Sequence, residues 1–251
     1  MKNAAAAQAM PAGSDLPYYD DRPVAISGAR WWFLMATVAL GFAVLIAPLP
    51  LLRDGWGRFV PAVAFFAIPM LGLRMVAGRH WTAVFRRVGW RELLWMFGFA
   101  LLNIVVTVLI GATVLKLFDA ARNPAFALLA GQTGDERLLF FLRTLPQLFG
   151  EEVLSILPLL ALAWLFHRKL AWPRSRALLC AWLLSALWFG AAHLPTYDWN
   201  LVQCLVVIGS ARLVLSLAYL KSRNLWVSFG AHAINDWSMF GLGLWLGAGA
   251  A

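Results

Sequence analysis

The stretch ELLWMFGFALLNIVVTVLIGATVLKLF, residues 92–118, runs from Glu92 to Lys116 with no ionisable side chain between them. Coiled as a helix at about 1.5 Å per residue, it is longer than the roughly 30 Å of hydrocarbon in a bilayer. Inside lipid the backbone finds no water, and a helix satisfies its N–H and C=O groups internally. Working outward, the same length requirement marks six further apolar runs, at 31–52, 59–77, 138–166, 177–193, 200–220 and 225–247. The expected architecture is all-α, a polytopic transmembrane helix bundle of about seven spans. Residues 1–30 are expected to form a flexible cytoplasmic tail. The first apolar run lacks the short core and small-residue cleavage site of a signal peptide, which predicts an anchored helix.

Composition agrees with a lipid solvent. Hydrophobic residues make up 62% of the 251-residue chain and charged ones 13%, about half of the roughly 25% that a soluble domain carries. The net charge of +9 does not imply nucleic acid, because the Lys and Arg residues sit in short connections between apolar runs. Arg74, Arg79, Arg86, Arg87, Arg91, Arg168, Lys169, Arg174, Arg176, Lys221 and Arg223 fall in one alternate set of loops. The other set carries Arg53, Asp54, Arg58, Asp119, Arg122, Asp135, Glu136, Arg137 and Asp198. Positive loops stay cytoplasmic, which predicts a multi-pass protein of the inner (plasma) membrane with a cytoplasmic N-terminus. Cys180 and Cys204 lie in apolar runs and form no metal or redox motif.

Set apart from the loop charges, Arg143, Glu151, Glu152, Arg212, His232 and Asp236 lie inside these runs, with His193 at the end of the fifth. Each is costly in hydrocarbon unless it faces a partner or a wet cavity. Arg143, Gln147, Glu151 and Ser155 recur every four residues and make one polar stripe on a helix. Pro158 is expected to free the Leu154 carbonyl and to bend the helix beside the acidic pair. His80 and His167 sit in basic loops and are expected to be satisfied locally. A desolvated carboxylate can take a proton from water, and two imidazoles can hold that water, bind a metal or stabilise an oxyanion. Amide hydrolysis suits such a set. The chain has no HExxH, no GxSG and no GxGD, so the zinc-helix, serine and aspartyl designs are not indicated.

These residues resemble a known family, the CPBP intramembrane proteases (also Abi or CAAX-protease family), which includes the type II CAAX prenyl endopeptidases. The family pattern is EExxxR, then FxxxH, then HxxxN or HxxxD. Here GEEVLSI supplies Glu151 and Glu152, FGAAH supplies Phe189 and His193, and HAIND supplies His232 and Asp236. The resemblance implies a catalytic core over 137–251, preceded by N-terminal transmembrane helices over 31–136. It implies an intramembrane endopeptidase acting on prenylated CAAX tails, leader peptides or similar membrane-associated substrates. It also implies roles: Glu151 as general base, Glu152 tuning it, His193 holding the water, His232 and Asp236 completing the site, Phe189 packing, and Asn235 standing in if Asp236 is turned away. Glu151, His193 and His232 are also the set that could ligate Zn2+. Expected partners are a peptide or lipidated-protein substrate and the bilayer, without nucleic acid. Ile156 stands where the family has Arg, and either Arg143 or Arg212 could supply that cation. On straight parallel helices His193 and His232 would lie at different depths. An inactive scaffold or immunity protein and a proton-coupled transporter are the alternative readings.

Overall fold

The computed structural model describes residues 15–52, 55–118, 121 and 123–247, and these contain helices and no strand. The elements are α1 (Gly28–Ile46), α2 (Phe59–Ala77), α3 (Trp90–Leu117), the short α4 (Pro124–Ala130), α5 (Gly134–Trp164), α6 (Arg174–Ala192), α7 (Gly209–Ser222) and α8 (Leu225–Trp245). Six segments are long and apolar enough to cross a membrane: Gly28–Ile46, Gly55–Val84, Trp90–Leu117, Gly134–Lys169, Arg174–Ala192 and Gln203–Ser222. The seventh expected span, α8, has 21 residues but carries His232, Asn235 and Asp236 and is not among the six.

Local signals fix the helix ends. Ser27 caps α1, and Thr133 and Glu136 cap α5 reciprocally, satisfying amide groups that a helix start leaves open. The α5 helix continues unbroken through Pro146 and Pro158 and widens into a π-type turn only at Leu165–Lys169. The first span is shorter than the sequence suggests, because α1 stops at Ile46 before the Pro48–Pro50 region, where residues preceding proline leave helical geometry.

Helix α5 is the axis of the bundle. Of its apolar window 78% is buried, against 17% for α3 and at most 44% for the others. It packs against α1, α2, α6, α7 and α8, while α3 lies outside on α7 and α8. The outer helices leave large apolar side chains such as Trp32, Leu101 and Leu109 exposed, as a lipid-facing surface requires.

One end of the bundle is a tied basic layer. Residues 15–27, expected as part of a tail over 1–30, instead lie packed on it. Leu16, Tyr18, Tyr19 and Ile26 join the main core, and the Tyr18 hydroxyl donates to the His80 carbonyl at 2.6 Å. Arg168 pairs with Asp21 at 2.6 Å and Arg174 pairs with Asp15 at 2.5 Å. Arg86 donates to the Arg223 carbonyl and its N–H to Asn224 Oδ1, joining two further basic loops. Apolar burial and these bonds, neither visible as periodicity, hold the segment down. Residues 1–14 and the loop charges at Arg53, Asp54, Asp119 and Arg122 lie outside the described residues.

Candidate active site

Neighbouring residues on a helix point about 100° apart, so Glu151 and Glu152 face different surroundings from the same turn of α5. Glu152 faces inward. Its carboxylate meets Arg212 of α7, with Nη2 donating to Oε2 at 2.9 Å. Arg212 Nη1 stands 2.8 Å from Oε1 as an ion-pair contact without hydrogen-bond alignment. Both side chains are fully buried. Arg212 Nε also reaches Ser216 Oγ at 3.3 Å, and the guanidinium lies over the Phe189 ring at 5.0 Å. Of the two cations the sequence offers for the family's missing Arg, Arg212 is the one paired with the acidic residue. Ile156, one turn after Glu152, is packed in the main core.

His232 of α8 closes this cluster. Its Nδ1 is 2.9 Å from Glu152 Oε1, and a carboxylate held by Arg accepts, so Nδ1 carries the proton. Nε2 then points between Glu151 Oε2 at 3.8 Å and Asp236 Oδ1 at 3.7 Å, just outside direct hydrogen-bond reach. Asp236 takes a bond from Asn235 Nδ2 at 2.9 Å, and Asn235 Oδ1 accepts from Asn103 of α3 at 3.1 Å. Asn235 therefore supports Asp236 rather than replacing it.

Glu151 faces a cavity of about 560 Å³. Gln147, one turn earlier, donates to its Oε1 at 3.2 Å. Ser155, the last member of the stripe, bonds back to the Glu151 carbonyl and is buried away from the cavity. His193 lines the same cavity. Its Nδ1 is 2.9 Å from the Phe189 carbonyl, which can only accept, so Nε2 is left with its lone pair. Phe189 lies between Arg212 and His193, its ring centroid 4.6 Å from the imidazole.

Two glycines permit this approach. A Cβ on Gly150 would strike the Phe65 ring of α2, and one on Gly190 would strike the Cys204 carbonyl. The chain turns sharply after His193 through Leu194–Tyr197 and re-enters through the π-type turn Gln203–Ile208. His193 and Glu151 are both within electrostatic reach of Asp236. The depth mismatch expected for the two histidines is thus spanned by Glu151 and Asp236.

Sequence reasoning missed Asn103 and Tyr197. Asn103, fully buried in an otherwise apolar helix, was legible in principle as a polar group needing a partner within the bundle. Tyr197 is buried after His193, within electrostatic reach of Asp236 and Glu151; it lies in a connection where no periodicity points to it. Among the described residues no group of three or more His, Cys, Asp or Glu is arranged to hold a metal ion. As placed, Glu151, His193 and His232 are not among such a group.

Residues 133–238 match the family model described as Type II CAAX prenyl endopeptidase Rce1-like. No curated protein and no solved structure matches the chain. The matched segment contains the acidic pair, His193, Arg212, His232 and Asp236 and leaves out α1 to α4. Residues 133–238, which carry the acidic pair and both motif histidines, are thus similar to the Rce1-like family, a family of peptidases, as the three motifs lead one to expect.

Proposed function

We propose that the protein is an intramembrane endopeptidase in which Glu151 is the general base. The observation that carries this reading is the division within the acidic pair. Glu152 is saturated by Arg212 and His232, while Glu151 faces the cavity with only Gln147 bonded to it.

The reaction follows from that arrangement. Water held between Glu151 and His193 Nε2 gives a proton to Glu151 as its oxygen attacks the scissile carbonyl carbon. The tetrahedral oxyanion is stabilised by His232 as an imidazolium, its Nδ1–H on Glu152 and its Nε2–H on the Glu151 side of the site, and Glu151 returns the proton to the departing amine as the C–N bond breaks. The products are a carboxylate and an amine. Glu152 orients His232 through Nδ1, and Asp236, held by Asn235, faces the same Nε2 as Glu151.

The basic layer gives the protein its direction. Positive loops remain cytoplasmic, so the end bearing Arg79, Arg86, Arg168, Arg174, Lys221 and Arg223 faces the cytoplasm across the plasma membrane. The cavity is lined instead by Leu52, Arg58, Pro195 and Thr196 from connections at the opposite end. Leader peptides and membrane segments presented from the non-cytoplasmic side suit that mouth better than cytosolic prenylated tails.

The test is cleavage of a quenched fluorescent peptide library, with and without a lipid anchor, by protein in nanodiscs. Removing a general base costs about 10²- to 10⁴-fold, so Glu151→Gln should lose at least about 100-fold in kcat with an unchanged melting temperature. Turnover by Glu151→Gln at the wild-type rate sinks the assignment.

A further inference from the structure

We infer that a second cavity, at the end of the bundle opposite the basic layer, is a binding site for an anionic glycerophospholipid. Arg143 and Arg58 hold its phosphate, and Gln132 accepts a hydrogen bond from a headgroup hydroxyl. The site is independent of the peptidase reading and stands whether or not Glu151 is a general base.

The cavity has a volume of about 560 Å³ and opens between α4, the start of α5 and the turn that precedes α2. Arg58, Gln132, Glu136 and Arg143 are its polar lining. Two of these carry buried atoms that the protein leaves without a hydrogen bond: Nε of Arg143 and Oε1 of Gln132. One is a donor and the other an acceptor, so a ligand that satisfies both must offer each kind of group. The other buried arginine, Arg212, already has its carboxylate. Arg143 and Arg58 are within electrostatic reach of one another, an arrangement of like charges that an anion between them relieves. Glu136 is the one acidic side chain in the lining, and its carboxylate is bonded by the Thr133 N–H and hydroxyl. Two guanidinium groups against one carboxylate leave the cavity cationic.

Its position selects a lipid. At 31 residues α5 is about 46 Å long, more than the roughly 30 Å of hydrocarbon, which brings its first turns to headgroup level. Side chains on a helix lean toward its N-terminus, so Arg143 reaches up toward that level from inside the span. Trp56, two residues before Arg58, is exposed as interfacial aromatics are. Leu128, Leu138 and Leu142 are exposed on the same two helices, an apolar surface for acyl chains below a charged cavity. A phosphodiester accepts from guanidinium groups through charge-assisted bonds, and a glycerol headgroup adds the hydroxyl that Gln132 Oε1 needs. A choline headgroup has no such donor, and an ethanolamine headgroup would set an ammonium beside two arginines.

The experiment uses the full-length protein in phosphatidylcholine nanodiscs carrying a small, varied fraction of phosphatidylglycerol with a diazirine on its acyl chain. Cross-links are mapped by mass spectrometry, and half-saturation is read for the segment 124–143. Photoreactive phosphatidylcholine and phosphatidylmethanol, an anionic phosphodiester without a headgroup hydroxyl, are run alongside. Phosphatidylglycerol should label this segment at a mole fraction about tenfold or more below phosphatidylcholine, and Arg143→Gln should remove most of that preference. Arg143→Lys should keep part of it. Gln132→Leu should weaken phosphatidylglycerol about threefold and leave phosphatidylmethanol within about twofold. Melting curves and unchanged labelling at the basic layer around Arg168 and Arg174 check that each variant is folded.

Equal labelling of 124–143 by phosphatidylglycerol and phosphatidylcholine overturns the inference, as does a preference that survives Arg143→Gln. Gln132→Leu weakening both anionic lipids alike overturns the headgroup assignment. Water-soluble glycerophosphoglycerol that displaces the probe as well as unlabelled phosphatidylglycerol does would assign the cavity to a free phosphate ester and overturn the lipid. Phosphatidylethanolamine that competes equally would show that net charge is not read and overturn it too.

Discussion

Arg212 and Glu152 form an ion pair with 0% of either side chain exposed, joining the central helix α5 to α7. Such a pair stabilises little over an apolar core, but breaking it strands a charge at a cost of about 3–5 kcal/mol. We expect Arg212→Met to lower stability by about that amount and the double change Arg212→Met with Glu152→Gln to recover part of it. Thermal melts in detergent and in nanodiscs measure both.

Arg212 brings from α7 the cation that the EExxxR pattern would place at Ile156. One turn after Glu152 on the same face, that position would present a cation to the same carboxylate that Arg212 now reaches from α7. Ile156→Arg should therefore add an unpaired charge to a filled core and destabilise by about 3 kcal/mol or more. Combining it with Arg212→Leu should be less damaging than Ile156→Arg alone. A swap that is as unstable as the two single changes summed would show that the positions do not share the carboxylate.

Asp15 anchors the N-terminal strap. Burial alone would raise its carboxyl, but bonds from Arg174, the Tyr19 hydroxyl and the Leu16 N–H together hold it below the ordinary carboxylate value. A lowered folded value means that the contribution is fully present above the unfolded value, about 3.9, and is lost as pH falls through the folded one. Arg174 is half exposed, so the effect is local. Hydrogen exchange of residues 15–27 should quicken on acidification below about pH 4 and be less pH-sensitive there in Asp15→Asn. Identical profiles would remove Asp15 as the anchor.

Orientation is open to thiol chemistry. With Cys180 and Cys204 changed to Ser, a cysteine at Thr196 should react with an impermeant maleimide added outside intact cells. One at Arg87 should react only after lysis. The reverse pattern would turn the cavity mouth toward the cytoplasm.

The helices were legible because hydrophobic length alone specifies a span, and six of the expected runs recur as segments able to cross a membrane. Helix α8 was legible as a helix but carries the polar cluster that dilutes its hydropathy. The acidic pair and the histidines stood out because charge in hydrocarbon demands an explanation. Which Glu is neutralised was not legible. That depends on a 100° difference in direction on α5 and on Arg212, 60 residues away in sequence. The ordering of 15–27 was hidden for a similar reason. Its polar composition reads as solvated, whereas Tyr18 and Ile26 are buried by surfaces contributed from distant helices.

The cavity wall has a consequence for how such a protein diversifies. On the peptidase reading the reacting groups come from α5, α6 and α8, while Phe42, Leu45, Pro61 and Phe65, which line the cavity with them, come from α1 and α2, outside the family match. On that reading, chemistry and selection lie in separate parts of the described chain. Substitutions in the first half can retune which peptides are admitted without touching the hydrolytic set, and a chimera carrying another protein's first two helices would exchange preference while keeping its turnover machinery.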